Sequence, residues 1–213
     1  MTTSGPGAGA ASLARPPGGN GPVLRAGAGI GGLACALALA RRGFTSTILE
    51  RAPRLSEIGA GMQISPNASR ILIELGLGEA LARHAIAPDA LLVRSGRSGR
   101  LLQRLELGAA AEGRYGSPYW VIHRADLQHV LAEAIANEPA CELVLGTHLK
   151  SFESNSADVV VTVNSGKVYR GGALIGADGM RSAVRRLLGN AGAPELSGYT
   201  AWRGTLRAAP LPE

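Results

Sequence analysis

An α/β fold built on a parallel β-sheet, with a β-meander crossover, is what this sequence predicts, and three stretches carry the prediction. From Val23 to Glu50, a short apolar segment, a glycine-rich turn, an alanine- and leucine-rich run and a second apolar segment follow one another. That is the order of a βαβ unit. Val159–Val163 and Lys167–Arg170 flank Asn164-Ser165-Gly166, the pattern of a hairpin. Ala173–Gly176 is a short apolar strand that runs into Ala177-Asp178-Gly179 and then into a helical pattern.

Each element follows from local chemistry. Val23–Ala26 is the first strand. Leu33–Arg42 is rich in strong helix formers, and Gly43 supplies its C-terminal stop. Thr45–Glu50 is the second strand and ends on an acid. Ile58–Ile64, rich in small residues, reads as a loop. Ser65-Pro66-Asn67 marks a helix start, with Ala68–Leu75 helical and Gly76 closing it. A short helix covers Gly78–His84. Leu91–Val93 and Leu101–Leu107 are strands about the turn Ser95–Gly99, making a small β insert around residues 90–120. Ala125–Ala136 places Leu127, Val130, Leu131 and Ile135 at helical spacing. Cys141–Leu145 is a strand, and Ser182–Leu188 is the last helix.

Composition narrows the function classes. The chain has 213 residues, 46% hydrophobic and 18% charged, enough for one sizeable core. No apolar run approaches the ~18 residues of a membrane span. The net charge of +6 and the pI of 10.0 come mostly from arginine, since Lys150 and Lys167 are the only lysines. These arginines are scattered and not interleaved with aromatics, which argues against nucleic acid as a partner and for anionic ligands in general. Cys35 and Cys141 have neither zinc spacing nor a disulfide framework. They read as buried thiols in a reducing compartment, hence a cytoplasmic protein without a metal. Residues 1–22 are rich in Gly, Ala and Pro with one charge, Arg15, and read as a disordered leader without a signal-peptide core. Residues 23–191 form the main domain, and 192–213 open a second one, with Tyr199–Leu206 as its first strand.

The chemistry concentrates at Gly27-Ala28-Gly29-Ile30-Gly31-Gly32, with Glu50 eighteen residues beyond Gly32. Gly27 permits a tight turn, Gly29 lets the backbone approach a pyrophosphate, and Gly32 lets helix and strand pack closely. The helix N-terminus offers free N–H groups and a positive dipole to phosphates. Glu50 is placed to accept a hydrogen bond from a ribose 2′-OH. A dinucleotide site follows, without saying which dinucleotide. The second constellation is Ala177–Arg185, an acid and a glycine at a strand's carboxyl end before a helix. Open α/β sheets bind ligands at that edge, although Asp-Gly taken alone is a turn.

Five segments together resemble the single-component FAD-dependent aromatic hydroxylases, the flavoprotein monooxygenases, on the side of salicylate and 3-hydroxybenzoate 6-hydroxylases. They are GAGIGGLACALALARRG, ILERAPRLSEIGAGMQISPNASR, YGSPYWVIHRADLQHVL, LIGADGMRSAVRRLLG and SGYTAWRGT. The resemblance implies a Rossmann-like FAD-binding fold. It also implies hydroxylation of a small aromatic acid with NAD(P)H and O2. By matched position it puts Gly27, Gly29, Ile30, Gly31 and Gly32 at the FAD pyrophosphate, Glu50 at the adenosine ribose and Arg51 at the adenine side. Arg124 would reach the phosphate and ribityl region, and Leu149 would contact adenine through its backbone. Gln63 would lie near the isoalloxazine. Asp178 would organise the pyrophosphate and the nicotinamide cofactor, with Arg185 a structural or NAD(P)H-side charge. Tyr199, Trp202 and Arg203 face the aromatic substrate or belong to a structural strand. None of His84, His123, His129 and His148 is assigned as a catalytic base.

The sequence also departs from that family. Its third flavin motif, Gly-Asp followed by Ala-Ala-His, is absent: no Gly-Asp dipeptide occurs, and 34 residues follow Gly179. The reading is therefore an N-terminal half with most of the substrate domain missing. The rival reading is a dinucleotide-binding remnant without independent activity. A simple NAD(P)-dependent reductase would need neither the Arg124 segment nor the Asp178 motif. Arg25 and Ser46 each occupy strand positions that a parallel sheet buried on both faces fills with apolar residues. An unpaired arginine there costs several kcal/mol.

Overall fold

The computed structural model describes residues 21–55, 61–190, 192 and 194–200. In chain order, β1 (Val23–Ala26), α1 (Ile30–Ala40) and β2 (Ser46–Leu49) make the first βαβ unit. An excursion follows through β3 (Gly61–Ile64), α2 (Pro66–Glu74), α3 (Gly78–Ala82), β4 (Ala90–Arg94), β5 (Leu101–Glu106), α4 (Gly108–Tyr115) and β6 (Trp120–His123). Next, α5 (Arg124–Ala136) leads into β7 (Cys141–Val144). The antiparallel meander β8 (Leu149–Ser154), β9 (Val159–Val163) and β10 (Val168–Gly171) precedes β11 (Ala173–Gly176) and α6 (Ala183–Leu187).

The predicted α/β architecture with a parallel sheet and a meander crossover is what the chain adopts. Strands β11, β1, β2 and β7 lie side by side in that order, all parallel. Alternation along each strand sends neighbouring side chains to opposite layers. Ile48 joins Leu33, Ala36, Leu37, Leu127, Val130 and Leu131 in the core under α1 and α5. Leu24, Ala26 and Leu49 join Val159, Val161 and Val163 in a second core under the meander. The central sheet is thus covered by α1 and α5 on one face and by the meander with α6 on the other.

Three expectations are corrected. Gly61–Ile64 is not loop but β3, paired antiparallel with β6. Met62 packs against the core and Ile64 is buried in it, an alternation that small flanking residues mask. The insert around residues 90–120 is not all β, since α4 follows the β4–β5 hairpin and ends at Gly116 in the left-handed region (φ 70°). Strands β6 and β8 lie outside the expected strands; β8 is polar at four of its six positions and carries a register shift between Leu149 and Ser151.

Arg25 and Ser46 meet in the structure. Arg25 is 0% exposed, on the face of β1 toward α1, and its Nη2 donates to Ser46 Oγ at 3.2 Å. Its Nε and Nη1 have no hydrogen-bond partner. Burial lowers the guanidinium's proton affinity, opposed by the nearby Cys35 and Cys141 sulfurs. Neither cysteine is fully buried, contrary to expectation; both are half-buried and free.

Candidate functional site

The glycine-rich turn is fixed by its neighbours. Gly27 has φ 101°, and a Cβ on it would lie 2.5 Å from the Ala177 carbonyl oxygen. A Cβ on Gly32 would lie 2.0 Å from the Gly27 carbonyl oxygen. The turn, α1 and the end of β11 therefore interlock through backbone alone. Gly27 N–H donates to Leu49 O at 2.8 Å, and Ala177 N–H donates to Ala26 O at 2.8 Å.

The peptide groups flanking Ala28 are clamped from two sides. Ala28 N–H donates to Glu50 Oε2 at 2.7 Å, while Glu50 Oε1 accepts from Ala52 N–H at 2.9 Å. Gln128 Nε2 donates to the Ala28 carbonyl at 3.1 Å. Each Glu50 oxygen keeps a further lone pair, so a hydroxyl can still donate to it. Gln128 went unremarked in the sequence. The signal was there, because it stands four residues after Arg124 and so shares its helix face.

Gly29 is built differently from Gly27 and Gly32. It caps α1 without a side-chain hydrogen bond, and a Cβ on it would meet nothing within 4 Å. No side chain of the protein caps the α1 N-terminus, and an uncapped helix start is where an anion is favoured. The open space at Gly29 is a cleft of about 780 Å³ lined by Gly27, Gly29, Glu50, Arg51, Arg124, Leu149 and Asp178, among others. Gln128, Arg54, Arg181, Arg185 and Arg186 line it too. Six arginines against two acids whose carboxylates are engaged by backbone amides make it electropositive, which suits a diphosphate.

Asp178 organises the far wall. Its Oδ1 accepts from Ser182 Oγ at 2.5 Å, and its Oδ2 accepts from Ala183 N–H at 2.6 Å and Val184 N–H at 3.3 Å. Ser182 Oγ in turn accepts from Arg185 N–H at 2.9 Å. The carboxylate thus caps α6. Arg185 Nη2 donates to Met180 O at 2.6 Å, while its buried Nε has no partner. Charge-assisted bonds contribute about 1.5–3 kcal/mol each. Asp178→Ala is expected to cost about 2–3 kcal/mol and Asp178→Asn about 1 kcal/mol, read from urea unfolding midpoints.

Not every expected residue reaches the cleft. Gln63 is exposed on β3 and does not line it, nor do Ile30 and Gly31. Tyr199 is 93% exposed. Trp202 and Arg203 lie outside the described residues. His148 does line the cleft, and its Nδ1 is 3.2 Å from Asn164 Nδ2. No group of three or more metal-ligating side chains occurs among the described residues. No described helix is long and apolar enough to cross a membrane.

Comparison with known proteins decides between dinucleotides. The family of the FAD binding domain matches residues 21–212. The chain belongs to this family. It is 40% identical over 193 residues to 3-hydroxybenzoate 6-hydroxylase of Polaromonas naphthalenivorans (strain CJ2), covering 90% of this chain and 48% of the relative. It is 39% identical over 186 residues to 3-amino-4-hydroxybenzoate 2-monooxygenase of Streptomyces cremeus, covering 87% and 46%. A structure of Klebsiella pneumoniae HpxO complexed with FAD is similar at TM-score 0.69 and 27% identity, covering 78% of this chain and 42% of that one. The chain spans about half the length of the curated relatives it matches. The cofactor of the family, FAD, fits the cleft. Gly29 leaves a cradle that a side chain would fill, and the α1 N-terminus and six arginines match its diphosphate.

Proposed function

We propose that this chain holds the ADP portion of FAD within an aromatic-ring monooxygenase that hydroxylates a small aromatic acid with NAD(P)H and O2. The open face of Gly29 beside the uncapped α1 N-terminus, inside the arginine-lined cleft, carries the reading. Gly27 and Gly29 would bring the backbone to the diphosphate, and Glu50 would accept a ribose hydroxyl. Arg51 and Leu149 would flank the adenine end, and Arg124 would supply positive charge farther along. Asp178 would position the α6 start. FAD, when bound, supplies redox chemistry that side chains lack. The relatives' names support an aromatic acid as substrate.

The chain by itself is expected to bind FAD weakly. About 27 non-hydrogen atoms of the ADP portion, at about 0.3 kcal/mol each, give about 8 kcal/mol, a Kd no tighter than ~1 μM. An absorbance spectrum after purification should show little retained flavin. An NADH-oxidation assay with salicylate and 3-hydroxybenzoate should show no stimulation by substrate. A yellow protein with substrate-stimulated turnover would overturn the assignment of this chain to cofactor holding alone.

A further inference from the structure

Gln128 is the one polar residue among the buried residues of α5; Leu127, Val130, Leu131 and Ile135 are apolar. It is 7% exposed, and its Nε2 donates to the carbonyl of Ala28, a residue with no exposed surface. Packing alone needs no amide at this position. The hydrogen bond uses one, and it decides which way a peptide of the glycine-rich turn faces. The Ala28–Gly29 peptide is trans, so its carbonyl and its N–H point in opposite directions. With the carbonyl held by Gln128, the Gly29 N–H points to the other side. Half a rotation of that peptide would exchange the two groups. It would carry the Gly29 φ from −69° to roughly +110°, a region that glycine enters without steric cost. The glycine that lets a diphosphate approach thus also admits the wrong orientation, in which a carbonyl oxygen would meet phosphate oxygens. Glu50 holds the preceding peptide through Ala28 N–H. This one is left to Gln128.

We propose that Gln128 is a positioning residue for the diphosphate: by holding the Ala28 carbonyl inward, it keeps the Gly29 N–H on the cleft side. The inference rests on the reading of this cleft as the FAD site. Arg124 and Gln128, one turn apart on α5, both line that cleft. The same helix therefore supplies a cation and fixes the backbone donor. Without the amide, a buried carbonyl loses its donor and gains by turning outward to water in the empty cleft. The flipped peptide then becomes populated, and a diphosphate binds only the fraction that remains unflipped. A ligand without phosphate is indifferent to the flip.

The test compares the whole chain with Gln128→Met and Gln128→Leu, which fill the space without a donor, by equilibrium titration with FAD, ADP and adenosine. Affinity for FAD and for ADP should each fall at least about fivefold. Affinity for adenosine, which carries the base and ribose without phosphate, should stay within about twofold. A residue that only packs would move all three ligands alike or none. An equal loss for adenosine, unchanged ADP binding, or failure of both variants to show a cooperative urea transition would each overturn the proposal. Binding of FAD and ADP by the parent with no change in the variants overturns this inference alone. A parent that binds neither overturns the cofactor reading and this inference with it.

Discussion

Gly32→Ala is expected to destabilise the fold by about 3 kcal/mol or more, lowering the thermal midpoint by about 6–12 °C. The added Cβ would sit 2.0 Å from the Gly27 carbonyl oxygen and 3.1 Å from its carbon. Those are backbone atoms, held in turn by the bonds of Gly27 to β2 and of Ala28 to Glu50 and Gln128. Relief requires α1 to move away from the turn, which would open the core formed by Leu33, Ala36 and Leu37. A net stability of about 5–15 kcal/mol leaves little room for such a loss. Differential scanning calorimetry of the variant checks it; an unchanged midpoint would mean that α1 does not pack as closely as described.

Arg25→Met is expected to have the opposite sign, raising stability by about 2 kcal/mol and the midpoint by about 4–8 °C. A fully buried guanidinium with two unbonded N–H groups and no carboxylate partner among the described residues keeps most of its desolvation penalty. Methionine approximates the aliphatic stem and fills the space without a charge. The Ser46 hydroxyl is the one group that loses a partner. Ser46→Ala alone should therefore destabilise, because it removes Arg25's one hydrogen bond. The double substitution should be at least as stable as Arg25→Met. Urea unfolding of the four proteins closes the cycle, and destabilisation by Arg25→Met would show that the guanidinium is better solvated than its burial indicates.

Where the chemistry is local, the sequence already showed it. Strand, turn, helix and acid from Val23 to Glu50 were legible because glycine conformation, helix formers and apolar spacing act over a few residues. The Ala173–Leu188 stretch was legible for the same reason, and Asp178 proved to cap the helix its motif precedes. Tertiary partners were not legible. Arg25 and Ser46 looked like two separate faults, yet 21 residues apart they are hydrogen-bonded across adjacent strands. Gln128 reaches the Ala28 carbonyl over 100 residues. β3 and β6 stabilise each other although neither has a strong pattern alone. Gln63, expected near the isoalloxazine, has its place on β3 set by the pairing with Val121, a partner 58 residues away that no local pattern names.

The most direct test of the central claim is an equilibrium titration of the chain with FAD, followed by flavin fluorescence, alongside Gly29→Val. That substitution meets no atom of the protein within 4 Å at its Cβ, so it should cost no more than about 1 kcal/mol of stability. FAD should bind the parent with a Kd between about 1 μM and 1 mM and be displaced by ADP. Gly29→Val should weaken it at least about tenfold, close to 1.4 kcal/mol, while the unfolding midpoint barely moves. Failure of FAD to bind at millimolar concentration, or equal binding by Gly29→Val, would contradict the assignment of this cleft to the cofactor.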